Sequence, residues 1–192
     1  MALVLCDDVT PAEWITRSGE SWNVLALYGP PGFDAYARLR FASDPEYAGQ
    51  KLSDARPCRP GVSDTAVLAQ LCAVLAGETT TPDDCYFAMW DGYGTVRELP
   101  RVGRMSIPNR KYHLFCGALA DVGDWGRSEA VLANEPAAFI WPADHAWCIA
   151  CDTDPHWAGI GAARHVIDAL LAQRDVDVVA ADRSTDFPFY TA

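Results

Sequence analysis

The sequence lacks the segments that would place the protein across a membrane. Its 192 residues contain no apolar run approaching the ~18 residues of a membrane-spanning helix. The first eight residues carry no basic stretch before their short apolar run, so we expect no signal peptide. Internal repeats and low-complexity tracts are also missing. We therefore expect no membrane partner.

Basic residues are scarce. The chain has 15 Lys and Arg against 26 Asp and Glu, which gives a net charge of −11. A field of that sign repels nucleic acid and anionic lipid and attracts basic partners, so we expect no nucleic-acid ligand. From Arg97 to Lys111 the balance reverses, with five basic residues and one acidic residue. We interpret this stretch as a solvated loop face, with anion binding as the alternative.

The cysteines do not form the paired pattern of a disulfide framework. There are seven of them, an odd number, and they are scattered along the chain. Most fall in apolar segments, where a reduced cysteine behaves as a small hydrophobic residue. We expect all seven to be reduced and the protein to be cytoplasmic.

The sequence does contain enough apolar residues to form a large hydrophobic core. Half of the residues are apolar, and Trp, Tyr and Phe occur seven times each. A chain of this size buries roughly 70% of the surface that its unfolded form exposes. We predict a single domain over residues 1–192 of the α+β class, with a mainly antiparallel sheet, a few packed helices and a C-terminal β-α-β unit.

Local patterns predict the elements. Strands are expected at 22–28, 33–41, 85–90, 112–116, 139–141, 146–151 and 175–180, and helices from Thr10, at 63–76, near 118–125 and at 161–173. The first two strands are expected to form a hairpin or an adjacent pair around the turn at 29–32. Residues 43–62 lose all periodicity and collect Pro, Gly and charge, which predicts a mobile loop.

The spacing of His145, Cys148, Cys151 and His156 is the most metal-like pattern in the chain. Zinc favours thiolate and imidazole ligands. However, both cysteines fall in a predicted strand, where residues three apart point to opposite faces. We expect no metal here. A metal-dependent enzyme that uses this cluster remains an alternative.

A second pattern places Gly159-Ile-Gly161 before the last predicted helix, where free backbone N–H groups suit a phosphate. The segment resembles the acetyl-CoA pyrophosphate-binding segment of GNAT-type N-acetyltransferases. That resemblance implies an acyl-CoA-dependent transferase as the other alternative function. His156 stands where those enzymes have Arg or Gln, and too little chain follows for their C-terminal half. We therefore expect a purely structural turn and no cofactor.

Two Trp-centred segments, 90–94 and 141–147, each place an aromatic residue beside a turn and an acid. The candidate binding residues are Trp90, Asp91, Tyr93, Trp141, Asp144, Trp147 and Trp157. Their rings are expected to line one groove with Asp91 and Asp144 at its rim, since aromatic side chains make strong binding anchors. The alternative is that they only fill the core. No Gly-x-Ser-x-Gly motif occurs, and the sequence does not identify any catalytic residue.

Several blocks resemble those of a group of uncharacterised actinobacterial proteins. The similarity covers most of the chain in matching order and includes Gly29-Pro-Pro-Gly-Phe33, Trp90-Asp-Gly-Tyr-Gly94, Asn109-Arg-x-Tyr-His-Leu-Phe115 and Trp141-Pro-x-Asp-x-x-Trp147. It implies a shared fold but no activity.

The acidic charge, the clustered aromatics and the missing catalytic set predict a non-catalytic cytosolic binding or interaction domain. Its partner is expected to be a basic protein or a small molecule. A concrete version is an immunity- or antitoxin-like protein that masks a basic toxin surface. Electrostatic attraction would then raise the association rate, and a Trp or Tyr anchor would slow dissociation.

Overall fold

The computed structural model describes residues 1–93, 96, 99–100, 102–126, 135–152, 156–184 and 189–191. Gly94 of the first Trp-centred segment, and Arg97 and Arg101 of the basic stretch, lie outside them. Nine strands of the described part form one sheet: β1 (Val4–Leu5), β2 (Ala35–Arg40), β3 (Cys85–Trp90), β4 (Arg104–Ile107), β5 (Arg110–Gly117), β6 (Phe139–Pro142), β7 (Trp147–Ala150), β8 (Trp157–Ala162) and β9 (Val178–Ala181).

The order across the sheet is β1, β5, β3, β6, β7, β8, β2, β9. Strand β4 also pairs with β5, end to end with β1. All of these strand pairs are antiparallel. The predicted mainly antiparallel sheet is confirmed.

The α-helices of the described residues are α1 (Glu13–Thr16), α2 (Trp22–Tyr28), α3 (Asp64–Leu75) and α4 (Arg164–Leu171). Together with the sheet they confirm the predicted α+β class. The chain passes through a short 3-10 turn at Thr10–Ala12 before α1, so a helical segment does begin at Thr10. No helix among the described residues combines the length and apolar character that a membrane crossing requires.

Helices cover both faces of the sheet, so there are two hydrophobic cores. On the α3 face, α3 and α4 pack against residues such as Phe87, Trp147 and Ile160. On the α2 face, α1 and α2 pack against residues such as Phe139 and Trp141. Alternate residues of each central strand face opposite cores, because side chains alternate along a strand. Both faces are therefore buried, and the central strands are apolar throughout.

The C-terminal β-α-β unit is present, but its first strand differs from the prediction. It consists of β8, α4 and β9, and β2 lies between the two strands. Since β8 and β9 are each antiparallel to β2, they run parallel to one another. The sequence predicted a loop over residues 152–157, and it did not predict a strand at Trp157–Ala162.

Residues 22–28 form α2, so the predicted strand there and its hairpin with residues 33–41 are both wrong. A short apolar run fits a buried strand and a buried helical turn equally well. The helix ends at Gly29, whose φ of +74° is a backbone conformation that favours glycine. Strand β2 instead pairs with β8 and β9.

The clearer patterns gave the right elements. Ser63 caps α3, and its side-chain oxygen accepts a hydrogen bond from the Ala66 amide, as predicted. The strands predicted at 85–90, 112–116, 139–141 and 146–151 correspond to β3, β5, β6 and β7. Near 118–125 only a 3-10 turn forms, at Leu119–Asp121.

Residues 43–62 hold little regular structure, as predicted, but charged contacts attach them to the sheet. Asp44 receives hydrogen bonds from Arg38 at 2.7 and 3.0 Å and lies 3.2 Å from His156 Nε2. Arg40 contacts the same carboxylate at 3.3 Å. The Tyr190 hydroxyl donates to the Ser43 carbonyl, which ties in the C-terminal residues as well. The predicted mobility of this loop stays a prediction.

These contacts make stability depend on pH. Burial alone would raise the pKa of Asp44, but hydrogen bonds from Arg38 and His156 outweigh it and lower the pKa to about 2. The pKa of Asp44 is lower in the folded state than in the unfolded state. The charged carboxylate therefore stabilises the fold fully at pH values above the unfolded-state pKa, and this stabilisation is lost as the pH falls toward 2. We expect Asp44→Asn to cost about 2 kcal/mol of unfolding free energy at pH 7.

The measurement is urea unfolding of wild type and Asp44→Asn between pH 7 and pH ~2.5. The difference in unfolding free energy between the two proteins should decrease as the pH falls below ~5. Asp7→Asn is the matched control, since Asp7 is exposed and the charge change is the same. A difference that stays constant over this pH range would contradict the assignment.

Candidate functional site

Three of the predicted groove residues are core tryptophans. Trp141, Trp147 and Trp157 are fully buried. Trp141 lies on the α2 face, and Trp157 packs against Tyr28 of α2 with ring centroids 5.4 Å apart. Trp147 lies on the α3 face, where its indole N–H donates to the Leu75 carbonyl at 3.1 Å. Because the sheet separates Trp147 from the other two, the expectation of one groove containing all three is wrong.

The two acids expected at the rim are engaged within the fold. The carboxylate of Asp144 accepts hydrogen bonds from the Thr79 hydroxyl and from the amide and hydroxyl of Thr80, all within 2.9 Å. Burial would raise the pKa of Asp144, but these hydrogen bonds lower it. Asp91 forms an ion pair with Arg104 at 2.8 Å. Each carboxylate therefore already has partners within the fold, and Asp91 also lines a surface depression beside Trp90.

Trp90 and Tyr93 do lie near the surface, and both are partly buried. Their rings meet edge to face, with centroids 5.2 Å apart. Gly92 lies directly against the Trp90 ring, where an added Cβ would overlap the indole. The turn after β3 thus holds Trp90 in place beside Arg110, which the sequence did not single out.

The Arg110 site, which we define as Trp22, Trp90, Arg110, Tyr112 and Asp152, forms at the edge of the α2 face. The guanidinium carbon of Arg110 lies 4.8 Å from the Trp90 ring centre and 5.7 Å from that of Trp22. Its Nε is 3.3 Å from Asp152 Oδ2. The Tyr112 hydroxyl donates to the same oxygen at 3.1 Å. Arg110 is therefore held between two indole rings with a carboxylate close by.

The fold brings these residues together from four elements. Strands β4 and β5 are joined by Pro108 and Asn109, and Asn109 has a φ of +65°. Proline followed by a residue of positive φ is typical of a type II turn. This turn places Arg110 at the start of β5, with Tyr112 two residues later on the same face. Asp152 lies two residues after the end of β7.

The charges of the Arg110 site are largely withdrawn from water. The side chain of Asp152 is 2% exposed and that of Arg110 is 16% exposed. Removing a carboxylate from water is costly unless an opposite charge and hydrogen bonds compensate for it, and Arg110 and Tyr112 do so. Burial, together with the charge of Asp152, raises the pKa of Tyr112. The site thus presents fixed, mutually neutralised charges.

Arg110 forms the wall between two surface depressions. The α2 pocket has a volume of about 150 Å³ and is lined by Trp22, Asn23, Ala26, Leu27, Arg110, Asp152 and Phe189. The turn pocket is more open, with about 430 Å³, and is lined by Trp90, Asp91, Gly92, Ile107, Asn109, Arg110 and Lys111. The walls of the α2 pocket are mainly apolar, whereas the turn pocket has Arg110 and Lys111 at its side.

Two buried histidines lie beside carboxylates, and each belongs to an ion-pair network. His113 Nε2 is 3.5 Å from Asp91, and His156 Nε2 is 3.2 Å from Asp44. The two histidines are 0% and 8% exposed. The pKa of each histidine is lowered, and burial is the largest cause of the shift. Since an arginine already neutralises each carboxylate, we interpret both pairs as structural.

The residues of the metal-like pattern are not brought together. Cys148 lies on the α2 face and Cys151 on the α3 face, as their spacing in a strand predicts. His145 stacks on Trp14 at 4.2 Å, whereas His156 contacts Asp44. Among the described residues, no group of three or more His, Cys, Asp or Glu side chains is arranged to hold a metal ion. All seven cysteines are free thiols.

The Gly159-Ile-Gly161 segment is not a turn, which corrects the prediction. It lies inside β8, so it does not offer the free N–H groups of a helix N-terminus. An added Cβ at Gly159 would lie 2.9 Å from Tyr28 Cα and closer still to the Leu27 carbonyl oxygen. At Gly161 it would meet the rings of Phe33 and Tyr36. These glycines are present because α2 and two aromatic rings pack directly on the strand.

Most of the Arg110 site was missed from the sequence. The sequence predicts a strand at Trp22, and it marks Arg110 only as part of a basic stretch. One signal was available for Asp152, an acid directly after a buried strand. Its contact with Arg110 joins residues 42 positions apart in the chain, which local patterns cannot indicate.

Comparisons with protein-family models, with curated proteins and with solved structures find no match to this chain. The resemblance to uncharacterised actinobacterial proteins stays a prediction.

Proposed function

We propose that the protein is a non-catalytic binding domain and that the α2 pocket receives an apolar side chain of its partner. The α2 pocket itself carries this proposal. Trp22, Ala26, Leu27 and Phe189 give it apolar walls, and Phe189 is 50% exposed. An apolar pocket with a few fixed polar groups is typical of ligand sites.

The charges at the base of the α2 pocket support the same proposal. Arg110 and Asp152 neutralise one another there, so an apolar group can enter without leaving a lone buried charge. The indole of Trp22 is held by Arg110, and a rigid aromatic wall loses little entropy when it binds a partner.

A basic protein is the partner that fits the charge of the chain. The net charge of −11 attracts a basic surface over several ångströms and raises the association rate. The immunity- or antitoxin-like protein of the sequence analysis is the concrete form of this proposal. The seven free thiols fit a reducing compartment, and we propose the cytoplasm as the location.

The test is an NMR titration with N-acetyl-phenylalaninamide and N-acetyl-leucinamide as stand-ins for the anchoring side chain. We expect saturable shifts of the Trp22 indole and of the Ala26 and Leu27 amides, with a dissociation constant near millimolar, about −4 kcal/mol. Asn23→Trp should abolish the shifts, since Asn23 is exposed at the pocket and a larger side chain there can fill it.

Tyr47→Ala is the matched control, because it removes an aromatic side chain that is 62% exposed and lies outside the pocket. It should leave the titration unchanged. Shifts spread over the whole surface, or an unaltered titration in Asn23→Trp, would contradict the proposal.

A further inference from the structure

Strand β9 is the last strand of the sheet, and no described strand pairs with its outer edge. The Arg40 amide donates to the Asp177 carbonyl at 2.8 Å, which makes these two residues a hydrogen-bonded pair between β2 and β9. In an antiparallel pair the hydrogen-bonded positions alternate. Val179 and Ala181 therefore direct their backbone groups toward β2, whereas Val178 and Ala180 direct theirs outward.

Among the described residues, none forms a hydrogen bond with the outward backbone groups of Val178 and Ala180. Ala180 is exposed, and Val178 is partly exposed. Unpaired edge groups of this kind are a template for another strand. The edge is short, but its residues are apolar and contain no proline or charged side chain to prevent pairing.

A basic depression lies at the start of this edge. It has a volume of about 320 Å³ and is lined by Arg40, Cys58, Arg59, Gln173, Arg174, Val176, Asp177, Val178 and Val179. Arg40 and Asp177 compensate one another at 2.8 Å. Arg59 donates to the Asp175 carbonyl, and neither Arg59 nor Arg174 forms an ion pair with a described residue. In a chain of net charge −11, this depression carries excess positive charge.

We propose that the β9 edge binds an extended peptide segment in antiparallel orientation and that Arg59 and Arg174 hold a carboxylate at the C-terminal end of that segment. A strand antiparallel to β9 runs from Ala181 toward Val178, so its C-terminal end reaches the basic depression. Backbone pairing supplies affinity in such complexes, and a charged pocket supplies specificity. This surface is separate from the Arg110 site, so the inference goes beyond the proposed function.

Charge favours a carboxylate-bearing peptide over a second copy of the chain. A second copy also carries a net charge of −11, so long-range repulsion opposes pairing of two β9 edges. A peptide carboxylate instead meets two guanidinium groups that lack an ion-pair partner within the described chain. Guanidinium groups bind carboxylates strongly because they donate two parallel hydrogen bonds.

The experiment uses the full chain and the probe peptide acetyl-Thr-Val-Thr-Val-Glu with a free C-terminus. Amide hydrogen exchange is measured by NMR with and without saturating peptide. We expect exchange of the Val178 amide and the Ala180 amide to slow by about tenfold or more, because both become hydrogen-bonded. The Val179 and Ala181 amides already pair with β2, so their exchange rates should not change.

Two variants separate the backbone contribution from the carboxylate contribution. A second peptide, in which Gln replaces Glu and the C-terminus is amidated, carries no carboxylate. The double variant Arg59→Gln, Arg174→Gln should bind the free-acid peptide about tenfold more weakly than the wild type does. Its binding of the amidated peptide should be unchanged. Ala180→Pro removes an outward N–H without touching the β2 pairing, and it should abolish binding of both peptides. Arg17→Gln is the control, since the Arg17 side chain is 75% exposed and distant in sequence.

Unchanged exchange at Val178 and Ala180 in the presence of peptide would overturn the inference. Equal affinity of the wild type for the free-acid peptide and the amidated peptide would also overturn the inference. Concentration-dependent protection of these amides without peptide would show that a second copy occupies the edge instead. None of these results bears on the α2 pocket, so the proposed function is tested independently.

Discussion

Gly159→Ala should destabilise the fold by about 3 kcal/mol, which for a chain of this length lowers the melting temperature by roughly 10 °C. The new Cβ would overlap backbone atoms of Leu27 and Tyr28. These atoms belong to the last turn of α2, and backbone atoms of a packed helix cannot rotate away as a side chain can. Helix α2 would have to move off the sheet, and Trp22 would move with it. Thermal and urea unfolding measure the loss.

Two other glycines calibrate this prediction. Gly161→Ala should lower the unfolding free energy by less than Gly159→Ala does. The atoms that its Cβ would meet belong to the side chains of Phe33 and Tyr36, which can move. Gly77→Ala should be neutral or stabilise by about 0.5 kcal/mol, since no atom lies within 4 Å of its added Cβ and its φ is not positive. If the three variants had equal stability, α2 could not be packed on β8 as described.

Asp152→Ala should destabilise the protein by about 3 kcal/mol, because it leaves the Arg110 guanidinium in a largely buried position without its carboxylate. The Tyr112 hydroxyl also loses its acceptor. Replacing both charges, with Arg110→Met and Asp152→Leu together, should recover much of the loss, since apolar residues of similar size tolerate such a site. Urea unfolding of the wild type and these two variants measures the loss and its recovery.

Glu13→Ala is the matched control for the ion pair. Glu13 and Arg17 are 2.7 Å apart, but their side chains are 42% and 75% exposed. An exposed pair four residues apart on a helix contributes about 0.5 kcal/mol or less. A cost for Asp152→Ala no larger than this would show that burial does not strengthen the Arg110 contact.

Much of the fold was predictable where the pattern was local. Strand β3 is a short apolar run beside turn residues, and α3 carries both a Ser63 cap and a helical apolar stripe. Strand β8 was missed because Gly159 and Gly161 suggest a turn when their neighbours are unknown. Their small size makes sense only once α2 lies on the strand. Helix α2 was missed for the reciprocal reason, because its apolar run alone does not distinguish a helix from a strand.

The binding site was less predictable than the fold. Trp90 was identified because it lies beside a turn, and the structure keeps it near the surface. Trp141, Trp147 and Trp157 satisfied the same local rule but became core residues, since burial depends on which strands neighbour them. The decisive residue, Arg110, stands in a basic stretch whose charge suggested solvent. Its partners Trp22 and Asp152 come from distant segments, so only the fold shows that the three meet.

The central claim, that the α2 pocket receives an apolar side chain, is tested most directly by intermolecular nuclear Overhauser effects. With N-acetyl-phenylalaninamide in excess, the ligand ring protons should show contacts to the Trp22 indole and to the Ala26 and Leu27 side chains. Asn23→Trp should remove them. Ligand contacts confined to any other surface, with none to these three residues, would contradict the account.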